Sequence, residues 1–459
     1  MNVLTSNARD VAVLALRDRK GNVSAHLGKL LSRAYLLPPD AALARELALG
    51  VVRRRATLEA VLRAFLARPE RRLPGSLNEI LHVALYQVLF LERVPAFAAV
   101  SEAVEQTGRF RHRRQSGLVN GVLRTVTRSV SEIQTGPVPV SAEAIPVGPG
   151  AYRLAGRAVF PDPAGDPAGY LAAAYSLPEL LATRWIEHRG SLGEAVRLAA
   201  HANARAPLIL RVNAAVSDVA AVTAELSAGG VGARPHANGH SVVLDGYCNV
   251  TKLEPFARGA VQPQDPSATA VVLAADPQPG SKVLDFCAAP GTKTTHLAER
   301  MGNRGSITAV DVSAAKLAQI EANCRRMGAG IVTPTLAEDV GRLEVESFDL
   351  VLADVPCTNT GVLARRPEAR WRFTEESLRS RVKDQKLLCR AAAAFVRPGG
   401  RLVYSTCSIE PEEGTEVARW LQRTVARMRL TDEQLTLPEG ADDPTHWRDG
   451  GYLAIFVAG

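Results

Sequence analysis

Apolar positions along the chain recur first at the spacing of a helix and later at that of a strand. From about Ala8 to Ser129 they fall three and four residues apart, as in Val11, Leu14 and Ala15 and in Leu58, Val61, Leu62 and Phe65. That period predicts amphipathic helices, and Pro38-Pro39, Pro69, Pro74 and Pro95 punctuate them. Ser131 to Pro167 is rich in proline and glycine and weakly periodic, which predicts a linker. Between about 169 and 258, helical stretches mix with the strand-like runs Leu208–Val212 and Ser241–Leu244, the pattern of a small α+β module. From Val261 onward strand, glycine loop and helix repeat, the mark of a doubly wound parallel sheet. The expected architecture is multidomain: an all-α domain over 1–135, a linker over 136–168, an α+β module over 169–258 and an α/β doubly wound, Rossmann-like domain over 259–459.

Composition narrows the setting. A chain of 459 residues with 46% hydrophobic and 22% charged residues reads as a globular protein of two or three domains. No apolar run approaches the ~20 residues that span a bilayer, and no basic segment precedes an apolar one at the N-terminus, so neither a membrane partner nor a secretory leader is expected. The cysteines at 248, 287, 324, 357, 389 and 407 include no Cys-x-x-Cys, which argues against a zinc site and a disulfide framework. No metal is expected, and a cytoplasmic location is. Charge is uneven. Residues 1–135 hold 21 Lys and Arg against 11 Asp and Glu, while the whole chain nets only +8. A basic N-terminal third beside a neutral remainder predicts a polyanion held by the first part and processed by the second.

One stretch suits a nucleotide. Val283-Leu284-Asp285-Phe286 is a short buried-strand signal that runs into Cys287-Ala288-Ala289-Pro290-Gly291-Thr292-Lys293 and then a helix. Small residues and a glycine let the backbone approach a ligand, and Thr292 or Thr294 can cap the helix. Asp311 ends the next apolar run at the place where an acid accepts from ribose hydroxyls, and Asp339 follows the third strand, within reach of an adenine amino group. The loop lacks both phosphate-binding glycine patterns, and Asp285 would repel a pyrophosphate. Ribose and adenine without phosphates point to S-adenosylmethionine, and Asp285 suits its sulfonium or ammonium group.

Two thiols stand at predicted strand ends, Cys357 after Leu352-Ala353-Asp354-Val355-Pro356 and Cys407 after Val403-Tyr404-Ser405-Thr406. The ligand crevice of an open α/β sheet lies beyond its carboxyl strand ends, so thiols there suggest nucleophilic chemistry. Cys248, Cys287, Cys324 and Cys389 read instead as small buried hydrophobes, Cys287 doing so within the cofactor loop. Arg365-Arg366 and Arg370-Trp371-Arg372, just after Cys357, read as a cluster that grips substrate backbone and stacks on a base.

With Cys287-Ala-Ala-Pro-Gly-Thr-Lys-Thr-Thr, Asp354-Val355-Pro356-Cys357 and Thr406-Cys407-Ser408, the chain closely resembles the RNA cytosine-C5 methyltransferases. Gly361-Val362-Leu363-Ala364-Arg365-Arg366-Pro367-Glu368, Pro398-Gly399-Gly400-Arg401 and Gln264-Asp265-Pro266-Ser267-Ala268 extend the match. Its N-terminal third is similar to the NusB-like RNA-binding module of the bacterial ribosomal subgroup of RsmB (Sun, Fmu) type, through Glu46–Gly50, Leu85–Phe90, Pro95–Glu102 and Val119–Arg124. Ser176-Leu177-Pro178-Glu179-Leu180 through Trp185 fits the subgroup's middle module.

The resemblance implies methyl transfer from S-adenosylmethionine to C5 of a cytosine in 16S ribosomal RNA, free or in a partly assembled small subunit. It makes Cys407 the nucleophile at C6, Cys357 the group that assists product release, and Asp354 a contact to the base or the cofactor. The same chemistry on transfer RNA or 23S RNA stays open, as does a non-catalytic RNA-binding factor, although the thiols and the ribose acid argue against the last. An amino-methylating enzyme would carry an Asp-Pro-Pro-Tyr type loop where Asp354-Val355-Pro356-Cys357 stands. Thr292 replaces the family's usual Gly, and Val355, Thr358 and Asn359 replace Ala, Ser and a smaller residue; no reactive group is lost.

Overall fold

The N-terminal apolar period folds into six α-helices, Ala8–Leu16, Val23–Leu31, Pro38–Phe65, Gly75–Phe90, Ala96–Arg109 and Ser116–Ser129. The computed structural model describes residues 7–17, 23–70, 72–246 and 248–459. The chain divides into two units, Met1–Ala204 with Arg366–Trp371, and Arg205–Arg365 with Arg372–Gly459. In the first unit the prolines act as the sequence suggests. Pro38 opens the longest helix, and Pro74 and Pro95 sit at N-caps, where a missing N–H costs no ladder bond. A Cβ on Gly50 would lie 2.1 Å from the Tyr86 ring, so only glycine lets these two helices approach so closely. The Tyr86 hydroxyl then donates to Glu46 at 2.7 Å.

Helices Pro167–Tyr175, Glu179–Arg189 and Leu192–Asn203 complete this unit. Thr57 Oγ1 donates to the carbonyls of Ala173 and Ala174 at 2.9 and 3.0 Å, tying them to the longest helix. The stretch expected as a linker carries a three-stranded antiparallel sheet of Gln134–Thr135, Ala144–Gly148 and Ala151–Leu154. Ala144, Ile145, Val159 and Phe160 are buried there, and buried Arg54 donates to the carbonyls of Pro146 and Val147. Strands of two, five and four residues are too short to display an alternation, which is why the sequence shows none.

The second unit holds two sheets. The smaller is antiparallel, in the order Ala233–Pro235, Ser241–Leu244, Leu208–Val212, Val261–Pro263, with helix Val219–Ala228 packed against it. Val261–Pro263, expected to open the doubly wound sheet, instead closes this one by pairing with Leu208–Val212. The larger sheet has seven strands: β1 Lys282–Phe286, β2 Ser306–Asp311, β3 Val332–Leu336, β4 Phe348–Asp354, β5 Val396–Thr406, β6 Met428–Thr436 and β7 Gly451–Ala458. Their order is 3-2-1-4-5-7-6, with β7 antiparallel to its neighbours. Along β4, Leu350 and Leu352 enter one apolar core with Val272, Leu297 and Ile320, while Val351 and Ala353 enter the other with Cys389, Val417 and Leu421. Helices thus cover both faces, and apolar residues run continuously along the strand because both of its sides are buried.

Candidate active site

Strand register brings the thiols together. Asp354 at the end of β4 pairs with Ser405 of β5, so the loops after the two strands leave side by side. Cys357 and Cys407 meet with their sulfurs 3.1 Å apart. Cys407 Sγ also donates to Asn359 Oδ1 at 3.3 Å, and Asn359 Nδ2 donates to the Cys357 carbonyl at 2.9 Å. Asn359 has φ +64°, a left-handed value that asparagine tolerates better than most residues. Cys357 is buried, whereas Cys407 is partly exposed. The Cys357 thiol is pushed well above its ordinary range, first by its hydrogen bond with Cys407, then by burial and by the charges of Cys407 and Glu413.

The two loops are bolted to each other. Gly361 N donates to the Cys407 carbonyl at 3.0 Å, and a Cβ on Gly361 would come within 2.4 Å of the Gly450 backbone. Ser408 Oγ lies 3.0 Å from Thr360 Oγ1. Glu413, fully buried, accepts from Thr358 N at 2.9 Å, from the Thr358 hydroxyl and from Gln385 Nε2 at 2.9 Å. Gln385 also donates to the Pro356 carbonyl at 3.0 Å, so both sides of Cys357 are fixed from beneath. Sequence reasoning missed Glu413 and Gln385. Glu413 is one acid in a polar run with Glu410 and Glu412, and Gln385 lies in a charged helix; neither carries a signal of its burial.

The cofactor loop sits at the same edge. The N–H groups of Cys287 and Ala288 donate to the Val310 carbonyl at 3.1 and 2.9 Å, and Ala289 N donates to Asp311 Oδ2 at 2.9 Å. Pro290 leads into Gly291, whose φ of +93° and approach to the Ile320 backbone exclude a side chain. The helix Thr292–Arg300 has Gly291 as its N-cap with no side-chain cap. The expected capping by Thr292 or Thr294 does not occur, because Thr294 donates to Asp285 Oδ2 at 2.6 Å instead. Cys287 stays a thiol: burial and then the carboxylates Asp311, Asp354 and Asp285 push it up to about 12.

Acids line successive strand ends. Asp285 is in β1, Asp311 ends β2, Asp354 ends β4, and Asp339 follows β3 in the turn Ala337–Arg342. Asp354 is held by Lys293 Nζ at 2.6 Å and by Ser405 Oγ at 2.7 Å. Burial works against the Lys293 ammonium, but Asp354, Cys407 and Asp285 together raise it above its usual value, so it remains charged. Asp311 accepts from Ala289 N, Val312 N and Lys316, which leaves about one of a carboxylate's four lone-pair sites free. Half-exposed Lys316 can yield a further place to a ribose diol. Asp339 pairs with Arg342 at 2.7 Å. Asp285 is buried, pushed up to about 7 chiefly by desolvation, and its Oδ1 has no partner among the described residues. A row of acids without a phosphate loop fits a cationic, hydroxyl-bearing, phosphate-free ligand, as S-adenosylmethionine is.

The arginines after Cys357 do not join this site. Arg365 lies between Asp265 Oδ2 at 2.9 Å and Asp449 Oδ2 at 2.6 Å and donates to the Pro207 carbonyl. Arg370 is fully buried in the first unit, donating to the carbonyls of Pro367, Arg53, Ser176 and Ala202 and to Asn203 Oδ1. Trp371 Nε1 donates to the Val52 carbonyl at 2.8 Å. The expected RNA grip is therefore corrected for Arg365, Arg370 and Trp371, whose donors are bound to protein groups, while Arg366 and Arg372 are exposed.

A 3-2-1-4-5-7-6 sheet with this acidic ligand edge belongs to the S-adenosylmethionine-dependent methyltransferases. A family described as "16S rRNA methyltransferase RsmB/F" matches residues 271–446, the "NusB family" matches 6–128, and a "Methyltr_RsmF/B-like, ferredoxin-like domain" matches 177–251. A probable ribosomal RNA small subunit methyltransferase B from Synechocystis sp. is 33% identical over 91% of this chain and 89% of its own length. The Vibrio cholerae ribosomal RNA small subunit methyltransferase B is 32% identical over 87% and 86%. The crystal structure of a methyltransferase homolog protein from Pyrococcus horikoshii aligns with TM-score 0.52 and 27% identity, covering 63% of this chain and 97% of that one. The chain belongs to the ribosomal RNA small subunit methyltransferase B family. Among the described residues no helix is long and apolar enough to cross a membrane.

Proposed function

We propose that this protein methylates C5 of a cytosine in 16S ribosomal RNA, with Cys407 as the covalent nucleophile, Cys357 as the group that assists release and Asp354 as a contact to the base edge. The observation that carries the reading is the pair of sulfurs 3.1 Å apart at the carboxyl ends of neighbouring strands. Cytosine C5 is too weak a nucleophile to take a methyl group directly. Cys407 as thiolate adds to C6, and the displaced electron pair makes C5 nucleophilic. S-Adenosylmethionine, when bound, supplies the methyl group as an electrophile. C5 then carries both the methyl and its original hydrogen. A base removes that hydrogen as a proton, the C6–S bond breaks, and its electron pair returns to Cys407. The contact of Cys357 with Cys407 supports reading Cys357 as that second acid–base group.

The cofactor is proposed to lie along Cys287, Ala288, Ala289, Pro290, Gly291, Thr292 and Lys293, with Asp311 at the ribose, Asp339 at the adenine and Asp354 at the reactive end. RNA grip falls to the helical region 1–135, where Arg111, Arg113, Arg114, Arg124 and Arg128 are exposed. The relatives' naming for the small-subunit RNA supports 16S RNA, free or partly assembled, and a cytoplasmic location follows from that substrate. Bisulfite sequencing of RNA from cells lacking the protein tests the reading. One cytosine in 16S RNA is expected to lose its protection and regain it with the intact gene. Loss confined to transfer RNA or 23S RNA would move the substrate, and no loss anywhere would overturn the reaction.

A further inference from the structure

Two thiols in contact can share one negative charge in two ways, and only one of them makes Cys407 the nucleophile. We propose that Glu413 is a positioning residue that settles this order: its buried carboxylate, fixed behind the Cys357 loop, holds the proton on Cys357 and leaves Cys407 as the thiolate. This rests on the reading of Cys407 as nucleophile and adds the reason for it.

Hydrogen-bond direction gives the first support. A thiol has a single proton, and Asn359 Oδ1 can only accept, so the Cys407 proton is committed to Asn359. The sulfur–sulfur bond must then run from Cys357 as donor to Cys407 as acceptor. When Cys407 ionises, its proton passes to water at its partly exposed side and the Cys357 S–H already points at the new thiolate.

Charge placement gives the second. Glu413 joins the residue next to Cys357 through Thr358 N and its hydroxyl, while Gln385, bonded to both Glu413 and the Pro356 carbonyl, braces the other side. The hydrogen bond and charge of Cys407, burial and the charge of Glu413 disfavour a thiolate at Cys357 and together outweigh the backbone N–H of Asn359, which favours one. Cys407 instead shares its surroundings with the Lys293 ammonium, itself tied to Asp354. Burial holds the Glu413 carboxyl above its ordinary value on balance, while hydrogen bonds from Ser408, Thr358 and Gln385 act in the opposite direction and favour its ionised form.

The arrangement also orders the second half of the reaction. Once Cys407 is bonded to C6 as a thioether it carries no charge, so the largest influence holding the proton on Cys357 is gone. Cys357 can then release its proton to water and take the one on C5, as the C6–S electron pair returns to Cys407.

The test uses the reduced full-length protein without RNA or cofactor. Initial rates of single alkylation by iodoacetamide are followed at each cysteine by peptide mass spectrometry from pH 6 to 9. In the wild type, Cys407 is expected to react at lower pH than Cys357, and equal midpoints or the reverse order would overturn the proposal. Glu413→Gln keeps the shape and removes the charge. It is expected to raise Cys357 labelling relative to Cys407 about tenfold at fixed pH, the equivalent of about one pH unit. Glu413→Asp is expected to restore the wild-type ratio. An unchanged ratio in Glu413→Gln sinks the assignment even if the covalent mechanism stands. Covalent RNA adducts that persist without Cys407 would sink the mechanism independently of this ratio.

Discussion

Residues 356–361 and 365–371 are separated by three residues of chain and are used in opposite ways. The first segment sets a buried thiol against Cys407 of the neighbouring loop and is held by groups beneath it. The second sinks its charges into protein, Arg365 against two carboxylates and Arg370 against four backbone carbonyls and one side-chain amide oxygen. Both look alike in sequence, as polar residues of one motif-rich stretch. The difference teaches that a run of arginines records a need for donors and leaves open who accepts. A guanidinium offers five N–H groups in a planar fork, which suits backbone carbonyls converging on one point as well as it suits phosphates.

The largest expected effect lies in the first segment's partner. Cys407→Ala should lower methyl transfer by on the order of 10³ or more and abolish any RNA–protein adduct on a denaturing gel. An adduct that survives would remove the contrast altogether. Cys357→Ala should lower turnover less and let the adduct accumulate, because addition still occurs and release does not; normal turnover would deny Cys357 its part.

In the second segment the losses should appear as stability and differ in their pH dependence. Arg365→Ala leaves Asp265 and Asp449 facing each other, a loss of about 3 kcal/mol at neutral pH by thermal or urea unfolding. Asp449 is already pushed up to about 7, first by burial and then by Asp265. The folded state therefore holds its proton more tightly than the unfolded one, and stability falls as pH rises from about 4 to 7. Without Arg365 that fall steepens, so the variant should lose less at pH 5 than at pH 8. Arg370→Ala strands neutral acceptors and should cost about 3–5 kcal/mol with no such slope between pH 5 and 8. A weaker grip on RNA at unchanged melting temperature would return Arg370 to the RNA-binding surface. Exposed Arg372 sets the floor, and Arg372→Ala should stay within about 0.5 kcal/mol.

How much was legible follows from the physics of each signal. Helices were legible because long amphipathic periods survive local irregularity, as Leu58, Val61, Leu62 and Phe65 do in one helix. Strands β1, β2 and β4 were legible because buried parallel strands read as nearly continuous apolar runs. The small sheet over 134–154 was not, since its strands are short and carry proline and glycine. At the site, reactive types such as Cys357, Cys407 and Asp354 announce themselves in motifs. Residues that act by being buried do not: Glu413 and Arg370 look like surface charges until their partners arrive from other elements.

Arg366–Trp371 belongs to a unit whose other residues end at Ala204, beyond an intervening stretch of Arg205–Arg365. At roughly 5–20 residues per second, a ribosome needs on the order of ten to thirty seconds to traverse that stretch. Throughout that interval the carbonyls of Arg53, Ser176 and Ala202 lack the guanidinium that bridges them, because Arg370 has not yet been made. The N-terminal unit is thus synthesised early and finished late, and a gene cut anywhere before residue 370 would yield that unit without its closing residue.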